Sequence, residues 1–218
     1  MNVIIKMCGN RSLEDLQIAT ASGADLLGII FADAWRQIAV EKAAEMLTAF
    51  RDTEEPPPPV VGVFVDQEVA EVNSIAENLD LDMVQLHGNE DKEYWASIER
   101  PLIIAKRIPS TASETEIRTT LEPVFEYAES KKAMALIEPL VEGQPGGTGA
   151  SMDFNTAKMI TQTYPCILAG GLTPDNIAGI INDVRPWGVD VSSGVETNKK
   201  KDPNKIARFI YEARKANL

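Results

Sequence analysis

The chain has 218 residues, an apolar content of 44% and a formal net charge of −12. One domain with a large core is expected over residues 1–218. The acidic charge argues against nucleic acid as a partner, because phosphate backbones bind Lys and Arg. No apolar run approaches the roughly 20 residues that span a bilayer. The first residues lack a signal-peptide pattern, so a soluble, cytoplasmic protein without a membrane partner is expected.

Eight short apolar runs are predicted to be strands, because each has the length and composition of a buried strand. In chain order they are VIIKM from Val3, DLLGIIF from Asp25, VVGVFV from Val60, LDMVQL from Leu81, PLIIAK from Pro101, AMALI from Ala133, CILAG from Cys166 and GVDVS from Gly188.

A helix-like segment follows each strand. The first, SLEDLQIATASG, has Ser12 as its cap and Gly23 as its stop. Two later segments are expected to begin with a cap residue followed by proline at the first helical position, at Thr173–Pro174 and at Asp202–Pro203.

The alternation of strands and helices predicts a parallel sheet. Eight units in 218 residues give about 27 residues each, the size of one βα unit. The sequence therefore favours a single-domain α/β fold, a (β/α)8 TIM barrel. The alternative on this pattern is an open, doubly wound sheet.

Reactive and polar residues lie at the ends of the predicted strands, where such a barrel gathers its ligand-binding groups. Cys8 ends the first strand, His87 the fourth and Glu138 the sixth. Each has a simpler interpretation: Cys8 as a packing residue, His87 as a hydrogen-bonded structural residue, and Glu138 as a helix cap or a partner of Lys6.

Side chains alternate along a strand, so Lys6 and Cys8 are expected to share a face. Lys6 is then placed either to lower the pKa of Cys8 or to pair with Asp190 on the eighth strand. The only other cysteine, Cys166, begins a strand at the opposite rim and is expected in the core. No Cys-x-x-Cys motif or histidine-rich cluster indicates a metal.

Glycine-rich strand ends predict a phosphate site. AGGLTPDN contains Gly170 and Gly171, and SSGVE contains Ser193 and Gly194. Glycines let backbone N–H groups approach an anion, and a helix N-terminus adds partial positive charge. The alternative is that the glycines only make tight turns. The loop after Glu138 carries another glycine cluster, from which Gly147 is assigned to the same site.

Seven motifs together resemble the phosphoribosylanthranilate isomerase family of tryptophan biosynthesis. They are IKMCGNRSLED, GADLLGIIF, VGVFVD, LDMVQLHGNE, GGTGASMDF, LAGGLTPDN and GVDVSSGVE, followed by KDPNKIARFI. They occur in family order over nearly the whole chain, and QLHG, GGTG and DVSSGVE are specific together.

The resemblance implies an Amadori rearrangement of N-(5-phosphoribosyl)anthranilate without a metal or organic cofactor. By position, Cys8 corresponds to the family's general base. Glu138 corresponds to its general acid, with glutamate where the family usually has aspartate. We expect Glu138 to have an apolar setting that raises its pKa, since an acid must be protonated. His87 and Asp190 are expected to contact the substrate.

The family usually has a Ser-x-Arg pattern after the second strand, in which the arginine recognises the anthranilate carboxylate. This chain keeps Arg36 but lacks the serine, and Trp35 is expected either to line an aromatic pocket or to cover the rim. The expected ligand is a small anionic phosphosugar, bound by a monomer or a homodimer. Two other functions stay open: a related phosphosugar isomerase with an altered aglycone, and a non-catalytic phosphoribosyl-ligand binding protein.

Overall fold

A computed structural model describes residues 3–52, 56–109, 112–131, 133–140 and 153–216. Its parallel strands close into a barrel in chain order, which confirms the predicted (β/α)8 architecture and excludes the open sheet. The strands are β1 Ile4–Met7, β2 Leu26–Ile30, β3 Val60–Phe64, β4 Met83–Leu86, β5 Leu102–Ile108, β6 Ala133–Pro139, β7 Cys166–Ala169 and β8 Gly188–Val191.

Helices follow the strands around the outside of the barrel. They are α1 Leu13–Ser22, α2 Val40–Arg51, α3 Val69–Asn78, α4 Lys92–Ala96, α5 Glu114–Ser130, α6 Phe154–Thr163, α7 Ile177–Val184 and α8 Pro203–Ala216. After β8 the chain makes a 3-10 turn, Ser193–Val195, and a short antiparallel hairpin of β9 Glu196–Thr197 and β10 Lys200–Lys201.

The ends of α1 confirm the signals in the sequence. The Ser12 side chain accepts from the backbone N–H of Asp15, satisfying one of the donors left open at a helix start. Gly23 has a φ of 96°, a left-handed conformation in which its N–H closes the last turn.

The start of α7 was predicted wrongly, whereas that of α8 is confirmed. Helix α7 begins at Ile177 with Asn176 as its cap, so Thr173 is not the cap residue. The Asn176 amide explains the difference, because its Oδ1 accepts from the backbone N–H of Thr173 at 2.8 Å and holds a turn ahead of the helix. At α8, Asp202 accepts from two backbone N–H groups and Pro203 takes the first helical position.

Side-chain alternation divides the barrel into two cores. The large cluster lies between strands and helices, and a smaller one fills the barrel interior. Members of the interior cluster are Leu26, Val61, Ile103, Ala105, Leu136, Ile167 and Ala169. Further along the same inward faces, buried polar groups replace aliphatic ones, namely Lys6, Gln85, Glu138 and Asp190. The strand geometry therefore concentrates polar chemistry at one end of the barrel.

Within the ranges that the structure describes, no helix combines the length and apolar character required to cross a bilayer.

Candidate active site

One cavity lies at the C-terminal ends of the strands. It is lined by Cys8, Ile30, Ala34, Arg36, Val63, Gln85, His87, Glu138, Pro139, Ala169, Gly170, Gly171, Leu172, Asp190, Val191, Ser192, Ser193 and Gly194. Every described residue that the sequence analysis assigned to the site is in this set. Gly147 lies outside the described residues. The strand ends thus bring together groups from most of the chain, as the barrel topology requires.

Lys6 and Asp190 form a buried ion pair on adjacent strands. The Lys6 Nζ is 2.9 Å from Asp190 Oδ1, and the lysine side chain is fully buried. The register explains the contact, because Lys6 and Asp190 are direct partners where β1 pairs with β8. The structure contains both roles open to Lys6, because Lys6 pairs with Asp190 and also opposes the burial that raises the pKa of Cys8.

Cys8 follows β1 and is 5% exposed. Burial raises the pKa of its thiol, and the nearby Lys6 charge opposes this without reversing it. The thiol form therefore dominates at neutral pH.

Gly28 on β2 makes room for this pair of groups. A Cβ at Gly28 would lie 2.8 Å from Cys8 Sγ and 3.1 Å from Lys6 Nζ. The first distance is shorter than real Cβ contacts and the second is tighter than most of them, so a side chain at this position would displace the thiol and crowd the ammonium group.

Glu138 is held by neighbours from two other strands. Its Oε1 is 2.7 Å from His87 Nε2 and accepts from Arg107 Nε at 3.0 Å. Arg107 also donates to the His87 backbone oxygen at 2.8 Å, which fixes the three groups relative to each other. Glu138 therefore pairs with His87 and Arg107 rather than with Lys6.

The expected rise in the pKa of Glu138 was wrong. Burial does raise it, but hydrogen bonds and charge interactions with His87 and Arg107 outweigh burial and lower the pKa below its ordinary value. An apolar environment was inferred from Leu136 and Ile137, whereas the carboxyl itself faces polar groups of β4 and β5. Glu138 is therefore an anion at neutral pH.

Arg36 is buried and rigidly held. Its Nε and a terminal nitrogen donate to the two carboxylate oxygens of Glu196 at 2.9 and 3.0 Å. The Trp35 ring lies over the guanidinium at 4.0 Å and is 45% exposed, so Trp35 covers the rim. This ring and Glu196 fix the orientation of an arginine that lacks the family's serine.

Lys201, on β10, is a residue that the sequence analysis did not single out. Its Nζ donates to the backbone oxygens of Cys8 at 2.6 Å and Ser192 at 3.0 Å. It also lies 3.4 Å from Glu196 Oε1, with its side chain 2% exposed. Burial lowers the pKa of Lys201, and Glu196 opposes the shift. The Lys201 ammonium group thus connects the ends of β1 and β8 to Glu196, the partner of Arg36.

The glycine-bearing loops meet at the other end of the cavity. Gly170 and Gly171 have φ values of 93° and 63°, which a residue with a side chain rarely adopts. A Cβ at Gly194 would overlap the Leu172 backbone oxygen, so the two loops touch at that point. Asn176 donates to the Gly171 oxygen at 2.8 Å and steadies the first loop. The described residues lining this end include no lysine or arginine, so backbone N–H groups are its main donors.

Two further expectations, the position of Cys166 and the question of a metal site, concern residues outside this cavity. Cys166 begins β7 in the core, as expected, and burial raises its pKa to about 12. Across the described ranges, no cluster of His, Cys, Asp or Glu has an arrangement that could hold a metal ion.

The groups that the sequence analysis missed did leave signals. Arg107 follows Ile103 and Ala105 at two-residue intervals, and this alternation aims it into the barrel. The motifs already recognised contain the others: Gln85 is in QLHG, Glu196 is in SSGVE, and Lys201 begins KDPNKIARFI. The sequence located these residues at the site without indicating which partners they contact.

A closed (β/α)8 barrel with a thiol, a carboxylate and glycine loops at one mouth defines a class of barrel enzymes that act on small phosphorylated ligands. Comparison with known proteins narrows that class. The model of the family described as N-(5'-phosphoribosyl)anthranilate isomerase matches residues 5–212. The chain belongs to this family.

Individual relatives agree. An N-(5'-phosphoribosyl)anthranilate isomerase from Dehalococcoides mccartyi is 38% identical over 97% of this chain and 96% of its own. One from Roseiflexus castenholzii is 39% identical, with coverage of 98% and 99%. The crystal structure of the Thermotoga maritima isomerase superposes with a TM-score of 0.82 at 31% identity, covering 98% of this chain and 99% of that one.

A further solved structure contains a ligand. It is a phosphoribosylanthranilate isomerase in complex with reduced 1-(o-carboxyphenylamino)-1-deoxyribulose 5-phosphate. It matches with a TM-score of 0.79 at 32% identity and covers 98% of this chain and 99% of that one.

Proposed function

We propose that the chain is a phosphoribosylanthranilate isomerase that converts N-(5-phosphoribosyl)anthranilate into 1-(2-carboxyphenylamino)-1-deoxyribulose 5-phosphate. The observation that carries the proposal is the convergence, in one cavity, of the Cys8 thiol, the Glu138 carboxyl and the two glycine-bearing loops. Family membership supplies the reaction to which these groups are suited.

The substrate carries charge at both ends, and the cavity offers a donor set for each. The phosphate binds backbone N–H groups of the loops at Gly170–Gly171 and Ser193–Gly194. The anthranilate carboxylate binds Arg36, whose guanidinium is oriented in advance by Glu196. His87 and Asp190 contact the ribose between these two ends.

The chemistry needs one acid and one base. Glu138 donates a proton to the ribose ring oxygen, the bond from that oxygen to C1 breaks, and the anilino nitrogen forms a Schiff base with C1. Cys8 as thiolate then removes the proton from C2. The resulting enaminol tautomerises by moving a proton from the C2 hydroxyl to C1, which leaves the ketone.

Turnover tests the proposal directly. The purified protein should convert N-(5-phosphoribosyl)anthranilate to the ketose, and its gene should complement a tryptophan auxotroph that lacks this isomerase. Binding of the reduced product analogue without turnover would indicate a non-catalytic binding protein instead. Turnover restricted to another phosphosugar would indicate a related isomerase with an altered aglycone.

The phosphate assignment has a separate test. A crystal structure with phosphate, or with the reduced product analogue, should place the phosphorus between the Gly170–Gly171 and Ser193–Gly194 loops. An anion bound reproducibly elsewhere in the barrel, with these loops empty, would contradict it.

We also propose a cytoplasmic enzyme that acts as a monomer or a homodimer. A solved structure of monomers generated from the dimeric Thermotoga maritima isomerase matches this chain at 29% identity with a TM-score of 0.79. Sedimentation equilibrium of the purified chain would decide between the two states.

A further inference from the structure

His87 is the only histidine in the chain, and both of its ring nitrogens have partners inside the cavity. Nε2 is 2.7 Å from Glu138 Oε1, and Nδ1 is 2.8 Å from the Gln85 side-chain nitrogen. Gln85, His87 and Glu138 thus form a chain of hydrogen bonds that runs from β4 to β6. Within this chain a proton can move between the imidazole and the carboxyl.

The Gln85 amide can form a hydrogen bond with either protonation state of His87. Among the described residues, the buried Gln85 Oε1 has no hydrogen-bond partner, so the contact with His87 is the hydrogen bond that orients the amide. With the nitrogen toward Nδ1, the amide donates to a neutral imidazole. Turned by half a rotation, its oxygen accepts from the Nδ1–H of an imidazolium. Either protonation state of His87 can therefore be satisfied without moving the backbone.

Glu138 alone is poorly placed to store a proton. Its Oε1 contacts both Arg107 Nε and His87 Nε2, and both contacts favour the ionised carboxylate over the protonated carboxyl. General-acid catalysis nevertheless needs a proton at this position. His87 is the titratable group in hydrogen-bond reach of the carboxylate, while Arg107 stays charged throughout. Among the described residues, the other charged or titratable groups that line this cavity are Cys8, Arg36 and Asp190, the last paired with Lys6.

We propose that His87 holds the proton used for ring opening and passes it through Glu138 to the substrate, while the Gln85 amide turns to serve both states of the imidazole. This inference rests on the proposed function. The proton leaves Nε2 of the imidazolium for the Glu138 carboxylate, which donates it to the ring oxygen as the bond to C1 breaks. Afterwards His87 is neutral, Glu138 is again a carboxylate, and a solvent proton restores the pair.

The single histidine makes the proposal directly observable. In protein labelled with 15N-histidine, the two ring nitrogen shifts report the protonation state and tautomer of His87 alone. The imidazole is expected to lose its proton over the same pH interval as one limb of the kcat/KM profile, while the other limb follows the Cys8 thiol. An imidazole that keeps one protonation state across that interval would overturn the proposal.

Gln85→Glu separates a proton-carrying role from a structural one. A carboxylate beside Nδ1 favours the imidazolium, so the NMR midpoint and the kcat/KM limb that coincides with it should move up together by about 1 to 3 pH units. If the NMR midpoint moves and the activity limb does not, His87 does not carry the catalytic proton.

His87→Gln provides a second test that adds no buried charge. The glutamine keeps an amide donor for Glu138 but has no proton to exchange. We expect kcat to fall by about 100-fold to 10,000-fold, the usual range for losing a general acid. Binding of the reduced product analogue should fall by a smaller factor than kcat, because His87 also contacts the ribose. A kcat within about threefold of the unmodified protein would overturn the proposal.

Failure of the inference can be told from failure of the proposed function. If the unmodified protein turns over N-(5-phosphoribosyl)anthranilate while His87→Gln is equally active, only the proton route is wrong. If the unmodified protein has no turnover, the proposed function and the inference both fall.

Discussion

At the scale of single residues, the site depends on groups that are held by partners before any ligand arrives. Glu138 contacts His87 at 2.7 Å and Arg107 at 3.0 Å, and Arg36 shares two hydrogen bonds with Glu196. Fixed donors and acceptors need little reorganisation during a reaction, which is one way in which an active site lowers a barrier. The same partners make the site sensitive to small changes in side-chain length.

Glu138→Asp should reduce kcat, although aspartate is the family's usual residue. The shorter side chain withdraws the carboxyl by about one C–C bond, roughly 1.5 Å, from the same backbone position. The contact with His87, now 2.7 Å, would then exceed hydrogen-bond distance. A displacement of about 1 Å at a reacting centre can cost on the order of 100-fold.

Steady-state kinetics of Glu138→Asp beside Glu138→Gln would check this expectation. Glu138→Gln should abolish turnover and retain binding of the reduced product analogue. A faster Glu138→Asp would mean that the glutamate impairs the site rather than being accommodated by it.

Cys8→Ser should abolish turnover while ligand binding persists. Serine has nearly the same shape, but its hydroxyl is a far weaker acid than a thiol, so a usable anion is not formed at neutral pH. Burial already raises the pKa of the Cys8 thiol, so activity should increase with pH as the thiolate forms. Measured kcat and analogue affinity for the variant would decide the matter, and near-normal turnover would remove Cys8 from the mechanism.

At the scale of secondary-structure elements, the β9–β10 hairpin acts as a brace for the ends of β1 and β8. Lys201 reaches from β10 to the backbone oxygens of Cys8 and Ser192, while Glu196 on β9 holds Arg36. Strands β1 and β8 also share the Lys6–Asp190 pair. The hairpin therefore links the ends of β1 and β8, at Cys8 and Ser192, to Arg36.

Lys201→Met should lower both stability and kcat/KM. The methionine fills similar space but leaves two buried carbonyl oxygens without a donor, at a cost of about 1–3 kcal/mol for each group. We expect a lower Tm and a loss of at least about tenfold in kcat/KM, since the Cys8 backbone is no longer fixed.

The matched control for this prediction is Lys200→Met. Lys200 is the exposed neighbour on the same strand, so its replacement should leave Tm and kcat/KM nearly unchanged. Equal effects of the two substitutions would show that the hairpin's charge, rather than the buried contacts of Lys201, is what matters.

At the scale of the whole molecule, a strongly acidic chain places paired cations around a site for an anionic ligand. The net charge is −12, yet Arg36, Arg107, Lys6 and Lys201 all lie at or beside the cavity, each with a carboxylate neighbour. Local fields can oppose the net charge in this way. These ion pairs also connect the fold's stability to pH.

Glu138 should make the fold less stable in acid. Its pKa in the folded protein is below the ordinary value of 4.5. A lowered pKa means that the carboxylate stabilises the fold above about pH 4.5, and that this contribution is lost as pH falls through the folded-state value. Unfolding midpoints between neutral pH and pH 3 should therefore fall less steeply for Glu138→Gln than for the unmodified chain.

Glu126→Gln is the control for the pH experiment. The Glu126 side chain is 67% exposed in a surface ion pair, so its loss should leave the slope unchanged. If Glu138→Gln and the unmodified chain show the same pH slope, the His87–Glu138–Arg107 contacts do not stabilise the fold.

Much of the fold could be predicted from the sequence because the signals for its strands and helices lie in neighbouring residues. The two-residue period of the strands and the cap at Ser12 depend on neighbours in sequence, and both are confirmed. The prediction failed at Thr173, where the Asn176 side chain holds a turn that delays the helix. A side-chain hydrogen bond of this kind competes with helix formation and has no periodic signature.

The sequence by itself determined the alternation of strands and helices, favoured the closed barrel over an open sheet, and placed Cys8, Arg36, His87 and Glu138 at or after the ends of strands. Only the tertiary structure decided which groups these residues contact. Lys6 and Asp190 are 184 positions apart, and Glu138 and His87 are 51 apart, so barrel closure and strand register bring them together. Periodicity tells which way a side chain points, whereas its partner and its pKa depend on which strands lie beside it. For that reason the location of Glu138 was predictable and its ionised state was not.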